Sequence, residues 1–193
     1  MHRTNTVLPL GDHKALVRRT MTTPVGELTL VAGPRGLRAV LWHGELPDDT
    51  DIAAADETGR AASSRTTSSR AASILAEAML QLDEYFAGTR TDFELPLDPV
   101  GTEFQQAAWM ELRKIPFGGT ISYGEQARRL GDANKSRAVG AANGRNPLSI
   151  VVPCHRVIGA NGSLIGFAAG IDIKQWLLQH EQRGAGQGRL TLA

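Results

Sequence analysis

The sequence predicts an α+β protein in two parts. A small N-terminal domain of sheet plus helix spans residues 1–98, and a mainly helical C-terminal domain with a winged-helix-like helix-turn-helix spans residues 99–183. Short runs of strand character broken by turn residues fill the start of the chain, whereas apolar stripes at helical spacing dominate from residue 72 onward. The charge divides at the same boundary: residues 1–98 carry 10 Lys/Arg against 14 Asp/Glu, and residues 99–183 carry 10 against 6. The net charge of +1 therefore conceals a basic second half, suited to an anionic partner.

A chain of 193 residues can bury a substantial core. Its single Cys excludes a disulfide framework and any multi-cysteine zinc site within one chain. A free thiol suits a reducing compartment. No apolar signal core follows Met1, and no run of 18 apolar residues occurs. A soluble cytoplasmic protein without a membrane or metal partner is expected.

In chain order, residues 15–22, 27–32 and 36–42 read as a three-stranded meander, separated by Pro24-Val25-Gly26 and Gly33-Pro34-Arg35-Gly36. Residues 45–70 are rich in Asp, Ala, Ser, Thr and Arg, too polar to offset their ordering entropy, and read as a mobile loop. A helix follows over 72–87, with Ile74, Leu75, Ala78, Met79, Leu82, Tyr85 and Phe86 on its apolar face and Gly88 at its stop. Residues 89–100, with Pro96 and Pro99, read as an extended linker.

The second half opens with a helix over 103–114, striped by Phe104, Ala108, Leu112 and Ile115 and broken by Pro116-Phe117-Gly118-Gly119. Ser122 and Glu125 have capping-box spacing and start a helix that runs to Leu130. After a polar turn at Gly131, a helix over 135–142 completes a helix-turn-helix. Its residues are short-chained apart from Lys135 and Arg137. The last helix starts at Asp172, with Gln175 in the cap position, and aligns Ile173, Trp176, Leu177 and a core-facing His180. Residues 184–193 read as a flexible tail.

The chemistry concentrates between Ser149 and Gly159. A β-branched run stops at Pro153, which cannot donate to a strand ladder and leaves Cys154 in a turn. A lone cysteine is commonly a small buried hydrophobe. His155 and Arg156 are, however, the groups that stabilise a thiolate relative to a thiol. Locally, both readings stand.

Pro153-Cys154-His155-Arg156-Val157-Ile158 resembles the active-site signature of the O6-alkylguanine-DNA alkyltransferases, also called methylated-DNA–protein-cysteine methyltransferases. The resemblance extends over 101–181 through Gly101-Thr102-Glu103-Phe104-Gln105-Gln106, Ile121-Ser122-Tyr123, Ser136-Arg137-Ala138-Val139-Gly140, Arg145-Asn146-Pro147 and Trp176-Leu177-Leu178-Gln179-His180-Glu181. It implies that Cys154 takes an alkyl group from O6 of a damaged guanine, or O4 of thymine, with His155 as base through a water and Glu181 as its orienter. Asn146 would hold the cysteine turn, and Tyr123 would donate to N3 of the departing guanine. Val157, Phe167, Ala168, Ala169 and Lys174 would line the pocket. Arg137 would fill the gap left by the flipped base, with Ser136, Lys135 and Tyr123 at the DNA, and the small-residue helix would lie in the minor groove.

The product thioether has no acyl carbon for water to attack, so the protein is expected to act once, as a monomer, with no cofactor. The chain departs from the family pattern at Gly166-Phe167-Ala168-Ala169-Gly170, where Gly-Tyr-x-Gly-Gly is usual. Phe167 keeps an apolar wall but lacks a hydroxyl, and the methyl of Ala169 is expected to narrow the pocket in favour of methyl adducts. Two rival readings are a helix-turn-helix regulator with a structural Cys154 and a cysteine hydrolase working through a thioester. Neither employs Asn146, His155 and Glu181 together with the basic helix pair.

Overall fold

The computed structural model describes residues 16–42, 53–54 and 67–187. The chain forms two compact units that meet in sequence at Val100 and Gly101. The first has β1 (Val17–Thr23), β2 (Gly26–Gly33), β3 (Gly36–Trp42), β4 (Ala53–Ala54) and α1 (Thr67–Phe86). The sheet order is β3-β2-β1-β4, with β1–β2 and β2–β3 antiparallel and β4 parallel to β1. Two-residue turns at Pro24-Val25 and Pro34-Arg35 set the hairpin registers, Thr23 opposite Gly26 and Gly33 opposite Gly36.

Helix α1 packs on β1, β2 and β3 through Ala71, Ala72, Ile74, Leu75, Ala78, Leu82 and Tyr85, all buried. Met79 and Phe86 are only partly covered. Two expectations need correction here. The 45–70 loop is interrupted by β4 and ends where α1 begins, five residues before the predicted start; the rest of it lies outside the described residues. Residues 89–100 are extended but are not a free linker. Leu37 donates to Pro96 O at 2.7 Å, Asp98 N donates back to Leu37 O at 2.9 Å, and Phe93 and Leu95 are buried. An unpaired edge of β3 is thereby covered, and Asp98 pairs with the buried Arg38.

The second unit contains α2 (Glu103–Leu112), β5 (Ile121–Ser122), α3 (Tyr123–Arg129), α4 (Ser136–Asn143), β6 (Val157–Ile158) and α5 (Ile171–Gln187). Thr102 and Gln105 form a complete capping box on α2. At α3 only half a box exists. Ser122 Oγ accepts from Glu125 N, but the Glu125 carboxylate pairs with Arg128 and Arg129, where charge outcompetes a backbone N–H. A 3-10 turn (Ala133–Lys135) separates α3 from α4, giving the helix-turn-helix.

The α2 stripe is also shifted. Trp109 is buried and donates its indole N–H to Ala142 O at 2.9 Å, while Phe104 stays half-exposed. Gln126 and Asn143 exchange side-chain hydrogen bonds between α3 and α4, and Gln126 Nε2 also donates to Ala108 O. These three contacts lock α2, α3 and α4. Helix α5 begins one residue before Asp172, which lies in its first turn, and runs four residues into the predicted 184–193 tail. The rest of that tail lies outside the described residues. His180 is not a core residue: it is half-exposed and stacks on Trp176, with ring centroids 5.1 Å apart. Among the described residues no helix is long and apolar enough to cross a membrane.

Trp109→Phe keeps an aromatic ring but removes the indole donor from Ala142 O, which retains its backbone donor Arg145 N. Chemical unfolding should show a loss of about 0.5–1.5 kcal/mol at an unchanged urea slope; a loss below a few tenths would show that this bond does not tie α2 to α4.

Candidate active site

The apolar run before Cys154 is not a strand. Residues 148–152 make tight turns with buried side chains, and the reason is local. Val151 N donates to Ser149 O at 2.9 Å around Ile150, whose φ is 71°. A β-branched residue rarely occupies that region and costs about 1–3 kcal/mol there. Pro153, at φ −82° and ψ 68°, centres an inverse γ-turn closed by Cys154 N on Val152 O at 2.8 Å. Asn146 bridges the loop, donating from Nδ2 to Val152 O at 2.7 Å and accepting from Leu148 N at 3.0 Å. The ladder bonds of a strand are thus replaced by an amide side chain and turn closures.

Cys154 opens a 3-10 turn (Cys154–Arg156) and is 6% exposed, while His155 is fully buried. His155 Nε2 lies 2.8 Å from Glu181 Oε1 on α5. Arg156 does not stabilise the thiol as its position beside the cysteine suggests. Its Nε and Nη2 meet Glu181 at 2.9 and 3.0 Å, and Nη1 donates to Ile115 O at 2.6 Å. Gly118 N supplies a fourth donor to Glu181 at 3.0 Å. The turn read only as a helix breaker therefore serves the site. A Cβ at Gly118 would sit 2.8 Å from Ala185 Cβ, and its φ of 74° is itself a glycine conformation.

The electrostatics follow from these contacts. Burial alone would raise Glu181, but the hydrogen bonds from His155 and Arg156 and the Arg156 charge outweigh it and bring the carboxyl down to about 2. Burial is also the largest influence on His155 and lowers it; Arg156 and Lys174 lower it further, against the raising effect of Glu181. A neutral imidazole facing an ionised carboxylate must place its proton on Nε2. His155 Nδ1 then carries a lone pair, and it is buried without a hydrogen-bond partner.

Strands β5 and β6 pair in parallel, Ile121 with Val157 and Ser122 with Ile158. This places Tyr123, first residue of α3, beside the turn that follows the cysteine. Burial, and then the charge of Cys154, push the Tyr123 phenol up to about 12, so it remains a donor. Its hydroxyl donates to Ile165 O at 3.1 Å. Gly166 approaches it so closely that a Cβ there would lie 2.8 Å from Oη. Lys174 is buried, with Nζ 2.6 Å from both Val157 O and Ile165 O. It staples β6 to the 159–170 loop; burial lowers its pKa and the charge of Cys154 opposes that shift. The Phe167 ring stands edge-on to His155 at 6.5 Å, Ala169 is half-exposed and Ala168 is exposed.

The remaining candidates lie on α4 and the turn before it. Arg137, Ala138 and Ala141 are exposed, Ser136 is half-exposed, and Val139, Ala142 and Asn143 face inward. Lys135 is exposed and lies 3.8 Å from Asp132. A Cβ at Gly140 would rest 3.8 Å from the Tyr123 ring, so the exposed small-residue helix backs directly onto Tyr123. Among the described residues no group of three or more His, Cys, Asp or Glu is placed to hold a metal. Sequence reasoning missed the Gly118 N–H and the true partner of Arg156. The paired glycines after Phe117 were the available signal of a close backbone approach.

Residues 103–183 match the 6-O-methylguanine DNA methyltransferase, DNA binding domain, and residues 16–99 match the ribonuclease-like domain of the same family. The methylated-DNA–protein-cysteine methyltransferase of Mycolicibacterium paratuberculosis is 45% identical over 165 residues, covering 86% of this chain and 92% of the relative. That of Methanosarcina acetivorans is 56% identical over 105 residues, covering 54% of this chain and 67% of the relative. Among solved structures, Mycobacterium tuberculosis OGT in complex with DNA aligns with a TM-score of 0.74 at 39% identity, covering 87% of this chain and 94% of that one.

The lowered pKa values make stability acid-sensitive. Both groups bind more protons unfolded than folded, so each stabilises the fold above its ordinary value and loses that contribution as pH falls. The His155 contribution should decline below 6.5, and that of Glu181 between 4.5 and about 2. Thermal midpoints measured from neutral to acid pH should fall through both windows; a midpoint that stays level down to pH 4 would contradict the neutral, buried His155.

Proposed function

The chain belongs to the 6-O-methylguanine DNA methyltransferase family, and from that premise we propose how its residues carry out the transfer. The protein is a DNA-repair methyltransferase that moves an alkyl group from O6 of guanine in DNA to its own cysteine. In our reading the acceptor is Cys154. His155 Nδ1 draws the thiol proton through a water, the new thiolate attacks the alkyl carbon, and a sulfur–carbon bond forms as the carbon–O6 bond breaks. The electron pair stays with the base. Tyr123, kept protonated, turns from Ile165 O to give a proton to N3, so guanine leaves neutral; the proton held at His155 then returns through water to the Tyr123 phenolate, and overall the thiol proton replaces the alkyl group.

One observation carries this assignment: the residue next to the only cysteine is a buried histidine whose Nε2 is taken by Glu181, which leaves Nδ1 to serve the thiol. A cysteine of ordinary pKa near 8.5 is only a few per cent thiolate at neutral pH, so an adjacent base is what makes it useful. Asn146 keeps the strained turn closed behind it. A structural cysteine in a DNA-binding regulator would need none of these.

The exposed face of α4 suits the minor groove, because Ala138 and Ala141 let the backbone approach closely and Arg137 projects to replace the extruded base. Lys135 would add a phosphate contact. Minor-groove docking leaves repair independent of sequence, since that groove presents a degenerate code. O4-alkylthymine is a second substrate of the same chemistry, one protein molecule acts alone on each lesion, and the reducing cytoplasm keeps Cys154 available. Val157, Phe167, Ala168, Ala169 and Lys174 form or support the pocket, with the Ala169 methyl restricting it.

Incubation with duplex DNA containing O6-methylguanine, followed by intact mass measurement, should show a gain of one methyl in place of one hydrogen. Cys154→Ala should abolish the gain and still bind DNA; no gain in the wild type would overturn the assignment, and continued turnover would point to a hydrolase. Ala169→Gly should raise the rate of benzyl transfer relative to methyl transfer by about tenfold, the scale of one methylene in a pocket. An unchanged ratio would remove Ala169 from the pocket wall.

A further inference from the structure

A buried carboxylate beside an imidazole has more than one way to hold its protons. Ionised Glu181 with the proton on His155 Nε2 leaves Nδ1 free to act as a base. If the pair took up one more proton, either Glu181 would be neutral with the hydrogen of His155 on Nδ1, or the imidazole would be cationic. Both forms lose the Nδ1 lone pair. An isolated buried pair favours proton uptake, because the ionised form leaves a net negative charge in a poorly solvated place.

Arg156 reverses that balance. Its fork places Nε on Oε2 and Nη2 on Oε1 of Glu181, at 2.9 and 3.0 Å. With His155 Nε2 on Oε1 and Gly118 N on Oε2, four N–H donors occupy the four lone-pair directions of the carboxylate. A proton can join Glu181 only by displacing one of them. Uptake would also turn a neutral buried triad into a cationic one. The same guanidinium fixes the donor loop: Nη1 holds Ile115 O at 2.6 Å, and the group lies 5.9 Å from the Phe117 ring centroid, so it braces the turn that presents Gly118 N.

We propose that Arg156 is a positioning residue for alkyl transfer, which excludes a second proton from the Glu181–His155 pair and so keeps the Nδ1 lone pair available to Cys154. The proposal rests on the reading of His155 as the base. The charged and titratable groups bearing on His155 are Glu181 and Lys174 from α5 and Arg156 from its own turn; Cys154 adjoins it, Tyr123 of α3 senses Cys154, and Phe167, edge-on to the ring, is neutral. Lys174 already has two carbonyl acceptors and cannot replace the fork.

The test uses the full chain, wild type and the variants Arg156→Gln and Arg156→Lys, with two readouts. In single-turnover transfer from O6-methylguanine DNA, the rate should fall on the acid side. For Arg156→Gln that acid limb should move up by about one pH unit or more, while the rates above it recover to within about threefold of wild type. Arg156→Lys keeps the charge without the fork and should lie between the two. Independently, nitrogen NMR of labelled histidine, with His155 assigned by its loss in His155→Asn, should show Nδ1 unprotonated in the wild type at neutral pH and proton-bearing in Arg156→Gln. If the Gln variant does not fold, Arg156→Lys alone must show both shifts in the same direction. A rate loss independent of pH, or an Nδ1 signal unchanged by substitution, would overturn the proposal. A wild-type protein with unprotonated Nδ1 but no methyl transfer would instead overturn the proposed function and leave the proton argument standing.

Discussion

The C-terminal unit depends on keeping one carboxylate ionised in its interior. Glu181 has no exposed side-chain surface, and an ion there would be untenable without compensation. Compensation comes from two other places in the chain: the turn at Gly118, and the adjacent residues His155 and Arg156. Once those are gathered round one anion, α5, the 115–119 turn and the cysteine turn have fixed relative positions. The proton on His155 follows as a consequence. Electrostatic satisfaction and the geometry of the candidate site are here the same set of hydrogen bonds.

A second constraint sits just upstream. Ile150 is held at positive φ, and Pro153 centres a γ-turn, so the backbone before Cys154 is tighter than a strand or helix would make it. Such conformations persist only where the surroundings overdetermine them. Asn146 bridges the loop with two hydrogen bonds, while Leu148, Ile150 and Val152 are fully buried. The thiol is therefore delivered on a rigid platform rather than a loop, and the β5–β6 pairing brings Tyr123 to the same place. Lys174 joins that platform to the 159–170 loop through two carbonyls, making a buried cation part of the framework.

Much of this was legible in the residues. The meander, the covering helix and the helix pair follow from apolar periodicity and turn chemistry, because those signals are local. The ordered blocks around Cys154, His155, Asn146, Tyr123 and Glu181 mark the chemistry. The errors fall where long-range contacts decide. Val151 and Val152 look like a strand by composition, yet turn closures and an asparagine satisfy their backbone. Residues 96–98 look like a linker, yet their backbone pairs with the edge of β3. Trp109 lay off the expected stripe, and only the position of α4 gave its indole N–H an acceptor.

The sequence by itself determined the layout, the single cysteine and the family, since each is written in residue types and their order. Only the tertiary structure decided the partner of Arg156, the donor role of Gly118 and which nitrogen of His155 is free. These are properties of a shared buried charge. Arg156 and Glu181 stand 25 residues apart and Gly118 and Glu181 stand 63 apart, and no local pattern specifies which donor a distant carboxylate accepts. What specifies it is the cost of leaving that carboxylate, or the arginine, unpaired in the interior.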